Sequence, residues 1–117
     1  MKKLPGRETR LVRSVIDLLH RLGCPAWRVN SGVARESDGK GGVRFVRYGM
    51  KGMPDVQGVI PGSGRMILIE CKIGRNPLSK DQKRILTDLE AAGVLAFVVR
   101  DNCEGVADVI REAMGRR

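Results

Sequence analysis

Four apolar residues in succession, Met66-Ile67-Leu68-Ile69, leave a strand no polar face to turn toward water, and directly after them the chain reads Glu70-Cys71-Lys72. A strand that is apolar on both faces has to be central in its sheet and covered on both sides. A chain of 117 residues can build one such core and is too short for a second. We therefore expect a single domain over residues 1–117, with helices flanking a sheet.

The rest of the pattern supplies those layers. Leu11, Val12, Val15, Ile16, Leu18, Leu19 and Leu22 recur at helical spacing among Arg10, Arg13, Asp17 and Arg21. This predicts an amphipathic helix over residues 7–22, ended by Gly23 and Pro25. Residues 26–31 and 43–48 have strand composition and would form a hairpin across the glycine-rich stretch 32–42, GVARESDGKGG. Residues 55–60 and 65–72 read as two more strands, separated only by Pro61-Gly62-Ser63-Gly64. Ser79 and Gln82 make a capping-box pattern ahead of Ile85, Leu86, Leu89 and Ala92. A buried strand over residues 94–99 follows, parallel to its predecessor because a helix connects them. Asp101 and Glu104 then suggest a cap for a last helix with Val106, Ala107, Val109, Ile110, Ala113 and Met114 inward. The order is helix, three or four strands, helix, strand, helix: a mixed sheet flanked by helices, α/β or α+β in class.

Charge narrows the partners. A formal net charge of +9 attracts phosphate chains by releasing their counterions, so nucleic acid is the first partner to expect. The alternatives are a basic protein without such a partner, or one that sits on an acidic membrane surface. One tryptophan, one tyrosine and two phenylalanines are too few for base stacking to be the main means of recognition. Cys24, Cys71 and Cys103 lack both a disulfide framework and zinc-ligand spacing. No run approaches the ~18 apolar residues of a membrane span, and the basic N-terminal stretch leads into no signal-like segment; no membrane association and a cytoplasmic location are expected.

The two central strands carry the chemistry. With their turn centred between Gly62 and Ser63, Ile60 faces Arg65 and Asp55 faces Glu70, on the same side of the sheet and roughly 4.5 to 5.5 Å apart at Cβ. Lys72 returns to that face by the period of the strand. Two carboxylates so close repel unless a cation intervenes. One solution is a hard divalent ion, Mg²⁺ or Mn²⁺, held by both carboxylates and by the backbone carbonyl of Cys71. The other is a plain salt bridge from Lys72 to Asp55 and Glu70. Pro54 fixes the backbone just where Asp55 must be aimed. Glu8 shares the buried stripe of the first helix, where it serves either the site or the helix dipole. Gln82 faces the sheet as well as fitting a capping box.

Gly52-Met53-Pro54-Asp55 followed by Glu70-Cys71-Lys72 resembles the PD-(D/E)XK nuclease signature. With Leu78-Ser79-Lys80-Asp81-Gln82, Ala92-Gly93-Val94 and Val98-Val99-Arg100, the chain from about Glu8 to Arg100 is similar to the VRR-NUC branch of that superfamily, especially its small stand-alone phage-type and bacterial members. The resemblance implies a restriction-endonuclease-like core of order α-β-β-β-β-α-β-α. It makes Asp55, Glu70 and the Cys71 carbonyl ligands of Mg²⁺ or Mn²⁺, with Glu8 assisting through water. It gives Lys72 the orientation of the attacking water and the steadying of negative charge, and assigns the helix glutamine of the family to Gln82. Cysteine replaces the β-branched residue common inside ExK; only its carbonyl is needed, so little changes.

The expected function is a metal-dependent endonuclease hydrolysing phosphodiester bonds in DNA. Arg35, Lys40, Arg47, Lys51, Arg75, Lys80, Lys83 and Arg84 are the positions expected to follow the backbone. Relatives of similar size imply structure-selective cleavage of four-way (Holliday) junctions by a homodimer, in a bacterial or phage-infected cell. A flap or nicking nuclease is the alternative within the class, and a non-catalytic basic nucleic-acid-binding module the alternative outside it.

Overall fold

The computed structural model describes residues 5–29, 32–48 and 50–115. Its elements are α1 (Arg7–Arg21), β1 (Ala26–Arg28), β2 (Gly32–Ser37), β3 (Val43–Tyr48), β4 (Val56–Val59), β5 (Met66–Lys72), α2 (Lys80–Ala91), β6 (Leu95–Arg100) and α3 (Val106–Ala113). Four strands form a mixed sheet in the order β1-β4-β5-β6. β4 is antiparallel to both β1 and β5, and β5 runs parallel to β6. The expectation for the apolar run is met: β5 is an inner strand, and from Ile67 to Lys72 every residue is buried.

Strand alternation divides the core. Val56, Ile60, Ile67, Ile69 and Cys71 project to one face, where they pack with Leu11, Val12, Val15 and Leu19 of α1 and Val106 and Ile110 of α3. Fully burying an aliphatic side chain of this kind stabilises the fold by about 1.5–3 kcal/mol. The other face receives α2, which packs against β6 and buries Ile85 and Leu86. Among the described residues, one helix on the second face and two on the first leave β1 and β4 without a helix above them on the α2 side.

Three expectations change. The antiparallel hairpin joins residues 32–37 to 43–48, in a separate two-stranded sheet, while residues 26–28 pair with β4 in the main sheet. Among the described residues there are thus five strands ahead of α2 rather than three or four, and half of the stretch read as a loop is strand. Its polar alternation lacks the apolar signature of a buried strand, because Phe45 on the partner strand is itself 71% exposed. Second, β6 is an edge strand with only Val99 buried, since no described strand pairs beyond it in the sheet. Third, α3 begins after Gly105 without a side-chain cap, and Val109 and Met114 are exposed. Asp101, suggested as its cap, is engaged elsewhere.

Candidate active site

The tight turn sets the register found: Val56 pairs with Ile69 and Val59 with Met66, and the Ile60 N–H donates to the Arg65 carbonyl at 2.8 Å. One step beyond the ladder, Asp55 stands opposite Glu70. Gly52 prepares this placement, having φ +87° and lying so close to α2 that a Cβ there would come within 2.9 Å of the Asp81 Cβ. A side chain would be strained in that conformation and would also push α2 away.

Pro54 has a second consequence beyond aiming Asp55. In an antiparallel ladder a hydrogen-bonded pair exchanges both N–H···O bonds, and the residue that the register sets opposite Cys71 is Pro54, which has no N–H to give. The Cys71 N–H donates instead to Oδ2 of Asp55 at 2.9 Å. The Cys71 carbonyl points to the same side of β5, where β4 offers it no ladder donor. A backbone oxygen and the Asp55 carboxylate are thereby brought together at one strand end. The Cys71 thiol lies on the opposite, buried face; burial, then the charges of Asp55 and Glu70, push its pKa up to about 12, so it stays a neutral core group.

Glu70 is 3% exposed. Its Oε1 accepts a hydrogen bond from Nε2 of Gln82 at 3.1 Å, whereas Oε2 is buried with no hydrogen-bond partner. Burial, then the charge of Asp55 and the sharing of a proton with it, raise the Glu70 pKa to about 8; the charge of Lys72 opposes the rise and that of Glu8 adds to it. Lys72 is 8% exposed on the same face, and its ammonium lies in no ion pair with either carboxylate. The plain salt bridge is therefore not what this face contains. Two carboxylates and a carbonyl to which β4 gives no ladder donor share this strand end instead, and Oε2 of Glu70 is buried there without a hydrogen-bond partner.

This donor set fits a hard divalent ion. Among the described residues no group of three or more His, Cys, Asp or Glu side chains could hold a metal, so the oxygen donors at this strand end are two carboxylates and a backbone carbonyl. Glu8 departs from the expectation. It is exposed rather than on the buried stripe, because the first turn of α1 lies at the end of the sheet, where Arg7 approaches Asp101 at 3.7 Å. Its charge still adds to the rise of the Glu70 and Cys71 pKa values.

Gln82 does two things at once. Its backbone N–H donates to the Ser79 hydroxyl at 3.1 Å and its Oε1 accepts from the Ser79 N–H at 2.8 Å, which completes the capping box. Its Nε2 is left to hold Glu70. The two readings of this residue are simultaneous, through opposite ends of one amide.

The expected backbone contacts are only partly gathered. Lys51, Lys80, Lys83 and Arg84 are exposed around the start of α2, with Lys51 and Arg84 paired to Asp81 at 3.5 and 3.6 Å. Arg75 is exposed in the loop before α2. Lys40 is exposed at the hairpin turn, and the side chains of Arg35 and Arg47 lie outside the described residues.

Asp101 was not suspected of a part near the site. It is the single non-glycine with positive φ among the described residues, at 68°. Its N–H donates to the Lys72 carbonyl at 2.9 Å, and its Oδ1 accepts from the Gly74 N–H at 2.7 Å. Arg100 adds bonds to the Gly74 and Asn76 carbonyls. Together they fasten the loop that follows Lys72. Aspartate tolerates the left-handed region better than most residues, but nothing local in the sequence marks this one.

A mixed sheet with helices on both faces, two carboxylates converging at the end of a central hairpin and a buried lysine beside them is the arrangement of a PD-(D/E)XK-type nuclease domain. The family model described as VRR-NUC domain matches residues 7–102, and the chain belongs to that family of nuclease domains. A solved structure titled VRR-NUC domain is similar in fold, with a TM-score of 0.64 at 18% identity, over 92% of this chain and 97% of that one. The curated proteins contain no match.

Proposed function

We propose that this nuclease domain is a Mg²⁺- or Mn²⁺-dependent endonuclease that hydrolyses phosphodiester bonds in DNA. The observation that carries the reading is Oε2 of Glu70, buried without a hydrogen-bond partner, beside Asp55 and the Cys71 carbonyl that Pro54 leaves without a ladder donor. Asp55, Glu70 and that carbonyl would hold the ion, with Glu8 assisting through water. A bound divalent ion supplies Lewis-acid polarisation of the scissile phosphate and lowers the pKa of water.

The chain's own groups do the rest. Gln82 fixes the Glu70 carboxylate by a bond to one oxygen, leaving the other for ligation. The Cys71 N–H does the same for Asp55. Lys72, held on the same face and unpaired with the carboxylates, orients the attacking water and offsets the negative charge that grows on the phosphate. Lys51, Arg75, Lys80, Lys83 and Arg84 border the start of α2 and follow the strand's phosphates, joined by Arg35, Lys40 and Arg47 of the hairpin.

Four-way junctions are the first substrate to test, with flaps and nicked duplexes second, because a basic domain poor in aromatics favours shape over sequence. A homodimer would place two such sites on two strands. No helix among the described residues is long and apolar enough to cross a membrane, and a cytoplasmic site of action is proposed.

Purified protein, Glu70→Ala and Lys72→Ala should be incubated with labelled junction, flap and linear duplex in Mg²⁺ or Mn²⁺. Wild type should cut the branched substrates and the variants should not. If all three bind DNA and leave it intact, the chain is a binding module instead. Light scattering on the same preparation reports the dimer.

A further inference from the structure

Trp27, the only tryptophan in the chain, is 44% exposed although it belongs to a strand of the main sheet. Its neighbour Ala26 points into the α1 face and is buried, so Trp27 points to the α2 face. It stands opposite Gln57, and its indole Nε1–H donates to Oε1 of Gln57 at 3.2 Å. Nε2 of Gln57 in turn contacts the Met66 sulfur at 3.6 Å. The ring is thus oriented by its neighbours. Among the described elements β1 packs against β4 and α1, neither of which lies above the indole.

The same face carries Asp55, Glu70 and Lys72. Gln57 precedes the turn by the same strand parity as Asp55, and the Val29 N–H, two residues along β1 from Trp27, donates to the Asp55 carbonyl at 2.7 Å. Two residues along a strand and one strand across put the Trp27 backbone about 8 Å from that of Asp55. A nucleic-acid strand with a phosphate at the carboxylates would therefore carry a neighbouring base over the indole.

Resting on the nuclease reading, we propose that Trp27 is a stacking platform for one unpaired base beside the cleavage point. The +9 charge of the chain supplies attraction for the polyanion, and the indole supplies a contact that only an unstacked base can make. Paired bases in a continuous duplex keep their faces covered. The platform thereby favours substrates with a single-stranded segment, such as a flap, over blunt duplex.

Because Trp27 is the only tryptophan, protein emission reports this position alone. Wild type should be titrated, in EDTA to prevent cutting, with a flapped duplex and with a blunt duplex of equal length, while anisotropy of labelled copies follows binding. Saturating flap should quench the emission to about half or less, and blunt duplex much less. Trp27→Ala should weaken flap binding about 5- to 150-fold, the range for loss of one base–aromatic stack, and Trp27→Phe should restore most of it. Thermal melts check that both variants fold. Unchanged emission at saturated anisotropy, or equal flap affinity for Trp27→Ala and wild type, overturns the platform and leaves the nuclease reading standing. Absence of binding to either DNA sinks both.

Discussion

At the residue scale, the site is defined by one carboxyl oxygen without a partner. Glu70 keeps its proton up to about pH 8 in the fold, against 4.5 for an ordinary glutamate, so between those values the native state binds more protons than the unfolded chain. Stability contributed by this group is fully present below about pH 4.5 and is lost as pH rises through 8. We expect the metal-free protein to lose thermal stability over that interval and Glu70→Gln to flatten the loss, as melting curves in EDTA at pH 5 to 8 can show. Ligation needs the ionised carboxylate, so Mn²⁺ affinity should rise over the same interval and Asp55→Ala should abolish it in calorimetric titration. Lys72→Ala is expected to keep Mn²⁺ binding while lowering the cleavage rate by about 10²–10³, the cost of one electrostatic contact to developing charge.

At the scale of elements, two joints aim these side chains. The β4–β5 pairing ends at Pro54, which withholds an N–H from Cys71. Pro54→Ala supplies that N–H, and we expect weaker Mn²⁺ binding in a protein that remains folded by circular dichroism. The other joint is the start of α2, where one glutamine both caps the helix and holds Glu70. Ser79→Ala and Gln82→Ala should each destabilise by about 1 kcal/mol through the cap. Only Gln82→Ala should also lower the cleavage rate, so melting temperature and activity measured together separate the two uses of the amide.

For the whole molecule, basic charge is spread over α2, the loop before it and the hairpin. Each phosphate neutralised contributes about 0.9 to the slope of log affinity against log salt on duplex DNA. Lys80→Ala and Lys83→Ala should therefore each flatten the slope by about that amount without altering cleavage position, whereas Glu70→Ala should leave the slope unchanged. Binding isotherms at several salt concentrations distinguish these outcomes.

The sequence by itself determined the sheet's centre and the facing of two carboxylates at the candidate site. The apolar run at residues 66–69 could only be an inner strand, and the four-residue turn set Asp55 opposite Glu70, because strand period and turn length are local properties. Tertiary structure decided what depends on distant neighbours. It drew residues 32–37 into a hairpin with 43–48 and gave residues 26–28 to the main sheet, a choice between partners that alternation alone does not make. It exposed Glu8 by carrying the first turn of α1 to the sheet's end, and it put Asp101 in a left-handed conformation to fasten the loop after Lys72. It also left Trp27 uncovered on the side of the site, since α2 reaches over β6 and not over β1: a strand shows its two faces in sequence, but only packing decides which of them meets solvent.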